Sequence, residues 1–246
     1  ELFLRRARAH NPRLALEAGD EALIGRICAR LDGLPLAIEL AAARTKVLSP
    51  ARIHDRLARR LDLLGTGPRD APLRQQTLRA AIAWSYDLLD APTQATFARL
   101  GVFAGRFTQQ SAEAVCGAGA LDALVDHSLL YRFEGRLGML ETVREFALDR
   151  LAATGELEAA RRAHARHFAA LFADAEEQLD GADARLWLDR VDADRENVRA
   201  AIECAVAAGD ATTALTLCAN VWRYWERRGT IAEGREALAA ALGAPD

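Results

Sequence analysis

The chain has no C-x-x-C pair, no long apolar run, no basic excess and no phosphate-binding loop. Cys28, Cys116, Cys204 and Cys218 are far apart, each among aliphatic residues, where a thiol behaves as a small hydrophobe. A disulfide framework or a zinc site is therefore not expected, and the pattern suits a reducing cytoplasm. No apolar stretch approaches the roughly 20 residues that a membrane-spanning helix needs. The N-terminus, Glu1 to Arg6, has neither a signal-type cleavage site nor an initiator Met, so a piece of a longer polypeptide is expected. The formal charge is -3, from 32 Lys plus Arg against 35 Asp plus Glu. That balance argues against a domain that grips nucleic acid through its backbone. Nothing matches G-x-x-x-x-G-K-[ST], and no apolar strand ends in paired acids. The chain is thus not expected to hydrolyse ATP by itself, and no catalytic residue is assigned.

Helical periodicity fills what remains. Ile24, Ile27, Cys28 and Leu31 share one helix face after Asp20, a candidate N-cap. Gly33 stands where a helix ends, and Pro35 where the next begins, with Ala37 and Ala41 forming a close-packing stripe. Ser49-Pro50 opens a further helix, whose buried face is Ile53, Leu57, Leu61 and Leu64. The Gly- and Pro-rich stretch 65–72 reads as a domain boundary. Beyond it, Leu78, Ile82, Ser85 and Leu89 share a helix face, Asp90 and Pro92 start another helix, and Thr108 caps a third. A short helix at 121–127 comes next. The period then changes: residues 129–133 and 136–140 flank the turn Glu134-Gly135 as a β-hairpin. Thr142 and Glu145 form a capping-box pair for a helix to about Ala153. From Gly155 the chain reads as helical throughout, with breaks at Gly181, Gly209-Asp210 and Gly229-Thr230. The expected fold is mainly α: a helical bundle at 1–66, a winged-helix domain with one β-hairpin at 67–154, and antiparallel TPR-like hairpins at 155–246. An exposed apolar end is expected after the last repeat.

Few side chains offer chemistry. His164 and His167 lie three apart on a helix, read as surface histidines because no third metal ligand is near. His10, His54 and His127 show no organised partners, and Ser85 has no triad around it. Trp222 and Trp225 fall on one helix face, with Arg223, Arg227 and Arg228 pointing elsewhere; packing between repeats is the expected role. No metal site is assigned.

Several segments in order carry a family resemblance. Residues 28–44, with Gly33-Leu34-Pro35-Leu36 at their centre, resemble the GLPL region of NB-ARC-type ATPases, within the STAND class of signal-transduction ATPases. Gln76-Thr77-Leu78, Trp84-Ser85-Tyr86-Asp87-Leu88-Leu89, Val102-Phe103-Ala104-Gly105 and Leu140-Glu141-Thr142-Val143-Arg144-Glu145 are similar to the AfsR-like and LuxR-like bacterial branch. The similarity runs on through Glu196-Asn197-Val198-Arg199-Ala200-Ala201 and Glu233-Gly234-Arg235.

The resemblance implies a P-loop ATPase domain upstream in the same polypeptide, with ATP or ADP as its cofactor and none held tightly by this piece. Gly33, Leu34, Pro35 and Leu36 would be nucleotide-binding, with Pro35 against the adenine. Met139, Leu140 and Glu141 align with a Met-His-Asp triplet that latches the winged helix near the β-phosphate. Leu140 has no donor, so either another residue senses the phosphate or this branch couples nucleotide to shape differently. Glu141 would hold the domain interface through polar contacts. A protein or small-molecule signal at the repeats and oligomerisation of the parent are implied as well. No direct nucleic-acid contact and no membrane contact by this piece are expected. Two other readings stay open: a helical scaffold without nucleotide dependence, and direct DNA binding by the winged helix. The second is opposed by segment 121–127, which has two acids and no Arg or Lys.

Overall fold

The computed structural model describes residues 1–12, 19–31, 33–63, 73–117 and 119–243. The expected boundary at 65–72 and the residue Leu64 lie outside the described residues, as does the side chain of Leu61. Among the described residues the protein is mainly α, as the periodicity predicts, with fourteen α-helices and one two-stranded hairpin. It divides into two compact units, each built from separated stretches of chain. Unit 1 holds 1–97, 120–132 and 140–146; unit 2 holds 98–119, 133–139 and 147–246.

In unit 1, helices α1 (Leu2–His10), α2 (Asp20–Arg30), α3 (Pro35–Ala43), α4 (Pro50–Leu63) and α5 (Leu73–Asp87) come first. Gly33 has φ +67 and its N–H donates to the Cys28 carbonyl, closing α2 in the left-handed conformation that glycine tolerates. Two residues on, Pro35 takes the first helical position of α3, where its missing N–H costs nothing. Helix α3 is buried almost all round: Ala37, Ile38, Leu40, Ala41, Ala42 and Ala43 are all in the core. The expected alanine stripe is therefore the visible part of a fully enclosed helix, packed on α1 and α5. Gly19, at φ +100, is the N-cap of α2, so Asp20 is its first helical residue rather than its cap. An aromatic triad of Tyr86, Phe97 and Phe146, with centroids 5.5 to 6.3 Å apart, closes this core.

Helices α6 (Ala91–Leu100), α7 (Gln109–Cys116) and α8 (Leu121–Asp126) follow, then β1 (Tyr131–Phe133), β2 (Arg136–Gly138) and α9 (Glu141–Ala153). Asp90 accepts the Thr93 N–H at 2.9 Å and Thr108 accepts that of Ser111 at 3.0 Å, so both expected caps form. Glu134 (φ 50) and Gly135 (φ 75) supply the paired positive φ of a tight hairpin turn. Helix α9 begins at Glu141, which places Thr142 inside the first turn instead of at the cap.

Unit 2 continues through α10 (Leu157–Leu171), α11 (Ala175–Asp180), α12 (Ala184–Ala207), α13 (Ala211–Arg228) and α14 (Ile231–Leu242). Helix α12 packs on α13 across the three residues 208–210, and α13 on α14 across the two residues 229–230, which makes them antiparallel neighbours. One break was not expected: Phe172 to Asp174 separates α10 from α11, and Phe172 itself is buried. A run of rings through Phe103, His164, Phe168, Phe172 and Trp187 forms the spine of this unit. Ile231, Leu238 and Leu242 of α14 are exposed. No described helix is long and apolar enough to cross a membrane.

Gly234 sits in α14 where an added Cβ would lie 2.6 Å from the Trp225 ring. Replacing a helical glycine with alanine ordinarily stabilises by about 1 kcal/mol, but the clash costs about 1–3 kcal/mol. The clash wins, so Gly234→Ala should lower the melting temperature. Gly25→Ala, with nothing within 4 Å of its Cβ, should raise it. Calorimetry on the two variants checks both signs.

Candidate functional site

Unit 1 contains a cavity of about 250 Å³ among the residues singled out by sequence. Leu36, from the GLPL segment, and Leu140, from the latch triplet, both line it. Val125, Leu129, Leu130 and Val143 extend its apolar wall, while Arg6 and His10 of α1 bring polar groups. Pro35 is exposed at the head of α3, next to Leu36; Gly33 is also exposed and Leu34 half-buried. Met139 belongs to unit 2, whereas Leu140 and Glu141 belong to unit 1. Glu141 is engaged within its own helix, with Arg144 Nη2 at 2.6 Å. Its hydrogen bond to Arg144 holds its carboxyl below the usual carboxylate range.

Beside this cavity stands a charged cluster that the sequence did not announce. Arg44, in the short 3-10 turn Arg44–Lys46 after α3, is only 1% exposed. Its Nη2 donates to the His127 carbonyl at 3.0 Å, at the C-terminal end of α8, while its Nε has no partner. Burial lowers its pKa to about 10, which still leaves it charged at neutral pH. Lys46 pairs with Asp126 at 2.8 Å, and Arg6 with Glu39 at 2.9 Å. His127 is held down to about 4, by burial first and then by Arg44. His10 is lowered as well, by burial, then by Lys46, with Arg6 and Arg44 adding to the effect. Both histidines thus have an organised setting. The available signal was a charged residue directly after a largely apolar, alanine-rich helix.

Unit 2 has a second buried polar cluster, and it accounts for two of the quoted motifs. Asn197, fully buried on α12, accepts the N–H groups of Ala104 (3.0 Å) and Gly105 (3.2 Å) through Oδ1. Its Nδ2 donates to the Arg106 carbonyl at 3.0 Å. One amide therefore satisfies three backbone groups of the loop 103–107. Gly105 leaves room for Glu196, whose Cβ would stand 3.2 Å and whose flexible Oε2 2.7 Å from an added Cβ. Asp194, one turn earlier and 2% exposed, is ion-paired with Arg136 of β2. Burial raises its carboxyl despite that partner. Phe107 and Leu137 exchange backbone hydrogen bonds of 2.8 Å in each direction, joining loop and β2.

His164 corrects an expectation: it is 2% exposed, packed against Phe103 and Phe168, and not on the helix surface. Its Nε2 has no hydrogen-bond partner, and burial takes its pKa down to about 4. Among the described residues no group of three or more His, Cys, Asp or Glu could hold a metal ion. Arg223 also departs from expectation, lying 3.9 Å over the Trp222 ring and 3.1 Å from Asp180. Trp225 is buried between helices as expected.

The chain is similar to two long mycobacterial proteins. One, from Mycobacterium tuberculosis (strain ATCC 25618 / H37Rv), is named "Putative HTH-type transcriptional regulator Rv0890c". It is 38% identical over 250 residues, which is 95% of this chain and 28% of that protein. A Mycobacterium bovis counterpart, "Putative HTH-type transcriptional regulator Mb0914c", matches to the same extent. "Uncharacterized protein Rv0894" of M. tuberculosis is 40% identical over 182 residues, 68% of this chain and 46% of that protein. The chain therefore spans less than a third of the length of the two regulators it matches. No protein-family model matches it, and no solved structure does.

The buried His164 generates a pH dependence. Its folded pKa of about 4 lies below the ordinary 6.5, so the unfolded chain takes up the proton first. The corresponding stability is complete above pH 6.5 and is lost as pH falls towards 4. Between pH 7 and pH 5 the loss from this residue is about 2 kcal/mol. His164→Gln should remove that share, and urea unfolding at the two pH values, followed by circular dichroism, measures it.

Proposed function

We propose that this chain is the regulatory part of a nucleotide-dependent switch in transcription control. The carrying observation is the meeting of Leu36 and Leu140, far apart in sequence, on the wall of one cavity within unit 1. The GLPL segment and the latch segment are the two places where the family resemblance puts nucleotide contacts. The wall is mostly apolar, with Arg6 ion-paired to Glu39 and His10 beside them, which suits the flat face of a base. Pro35, exposed and rigid, offers an apolar surface to the base, and Leu36 continues it into the cavity.

The nucleotide, ATP or ADP, would be supplied by a P-loop domain elsewhere in the same polypeptide, and unit 1 would close over it. The relatives named as transcriptional regulators are much longer than this chain, which leaves room for such a domain and for an output domain. Helix α8 carries Asp122 and Asp126, paired with Arg132 and Lys46, so we assign DNA contact to other parts of the regulator. Repeats α10 to α14 would receive the signal. A preference of a few kcal/mol between two nucleotide states suffices to shift such a switch.

A second reading, an interaction scaffold independent of nucleotide, draws on a groove in unit 2. Helices α12, α13 and α14 enclose about 550 Å³, floored by Val198, Ile202, Val221 and Trp225. Arg195 of α12 and Glu233 of α14 form an ion pair at its rim.

One experiment separates the two readings. The full-length gene product is denatured and the released nucleotide measured by chromatography, in wild type and in Pro35→Ala. Copurified ADP or ATP, reduced severalfold by the substitution, supports the switch. Folded protein with no nucleotide, even after loading with Mg-ATP, sinks it and leaves the scaffold.

A further inference from the structure

Strand β2 is three residues long, and its hairpin partner β1 is exposed along its whole length. A lone two-stranded hairpin is marginally stable at best in water. The order of β2 comes from its other side, where Leu137 exchanges backbone hydrogen bonds with Phe107. Phe107 ends the loop whose amides and carbonyl are held by Asn197. Arg136 of β2 donates to the Arg106 carbonyl at 2.9 Å and to Asp194. All these ties lead, directly or through one loop, to Asp194 and Asn197, three residues apart on α12.

The Asp194–Arg136 contact is the incompletely satisfied member of the set. Arg136 Nε is buried without a partner, as are the Nε2 atoms of His164 and His167 on α10. His167 is within electrostatic reach of the Asp194 carboxylate. A buried ion pair adds little net stability, since both charges give up their water, and its best-attested use is to fix register. Asp194 also has a second cation to turn to. Arg190, one turn earlier on α12 and exposed, already acts on its carboxylate. Losing Arg136 would therefore not strand a bare buried charge, so the contact has two arrangements open to it.

We propose that Asp194 and Arg136 form a clasp that opens and closes, through which the repeat helix α12 sets the position of β2. The chain leaves β2 at Gly138 and two residues later reaches Leu140, on the wall of the unit 1 cavity. A closed clasp holds that segment in place, and an open one frees it. What the clasp controls rests on the nucleotide-switch reading; the clasp itself stands on unit 2 alone.

Amide hydrogen exchange and ADP titration of the full-length gene product test it. In Asp194→Asn the Phe107 and Leu137 amides should exchange at least about tenfold faster with α13 unchanged, the mark of local opening rather than global unfolding. Arg136→Lys, which keeps the charge, should retain most of the protection. ADP affinity should shift severalfold in Asp194→Asn, with no further shift when Arg136→Gln is added. Arg190→Ala, at an exposed position, serves if Asp194→Asn does not fold: without the second cation the clasp stays shut and Leu137 exchange slows. Unchanged Leu137 exchange in these variants, or acceleration spread evenly over α12 and α13, overturns the clasp. Local acceleration with unchanged ADP affinity overturns its control of the cavity and leaves the switch standing. A wild-type protein that binds no ADP overturns the switch, and exchange then decides the clasp alone.

Discussion

A helical protein satisfies its backbone within helices and is left with the amides and carbonyls of the turns between them. Those groups must find partners wherever they are buried. In each unit one fully buried side chain does this across more than eighty residues of sequence. Arg44 takes the carbonyl of His127 at the end of α8, and Asn197 takes two amides and a carbonyl from loop 103–107. Each anchor fixes a stretch of chain that has no helix of its own to order it. Removing either would leave polar groups without water and without partners, at about 1–3 kcal/mol each.

The packing around each anchor follows from its demand for close approach. Asn197 holds a loop whose residue 105 is glycine, which leaves room for the neighbouring Glu196 side chain. Arg44 is carried to His127 by a helix so rich in alanine that neighbours reach it from every side. The motifs Val102-Phe103-Ala104-Gly105 and Glu196-Asn197-Val198-Arg199 are thus two halves of one contact. Their side chains support shape, not chemistry.

Much of this was legible in the sequence where the signal is local. Periodicity gave the helices; Pro35 and Pro50 marked helix starts, Asp90 and Thr108 gave caps, and Glu134-Gly135 the hairpin turn. Boundaries slipped by a residue or two, as where Gly19 rather than Asp20 caps α2 and where α9 already begins at Glu141, ahead of Thr142. The break at Phe172 to Asp174 carried no glycine or proline and could not be seen. Among candidate residues, Leu36 and Leu140 were picked out by resemblance, and the fold puts both on one cavity. Arg44, His10, Asp194 and His164 were missed because burial of a polar side chain is decided by tertiary partners, which spacing alone does not disclose. His164 reads as a surface residue by type, yet the aromatic rings around it override that expectation.

The imbalance around Arg44 sets an energetic cost within unit 1. A desolvated guanidinium with one carbonyl partner is not fully compensated, and an unpaired buried charge costs several kcal/mol. The state in which segments 120–132 and 140–146 pack with α1 and α3 therefore carries an electrostatic penalty. That penalty is carried by apolar burial: Ala37, Ile38, Leu40, Ala41, Ala42 and Ala43, on the helix that ends at Arg44, are all removed from water.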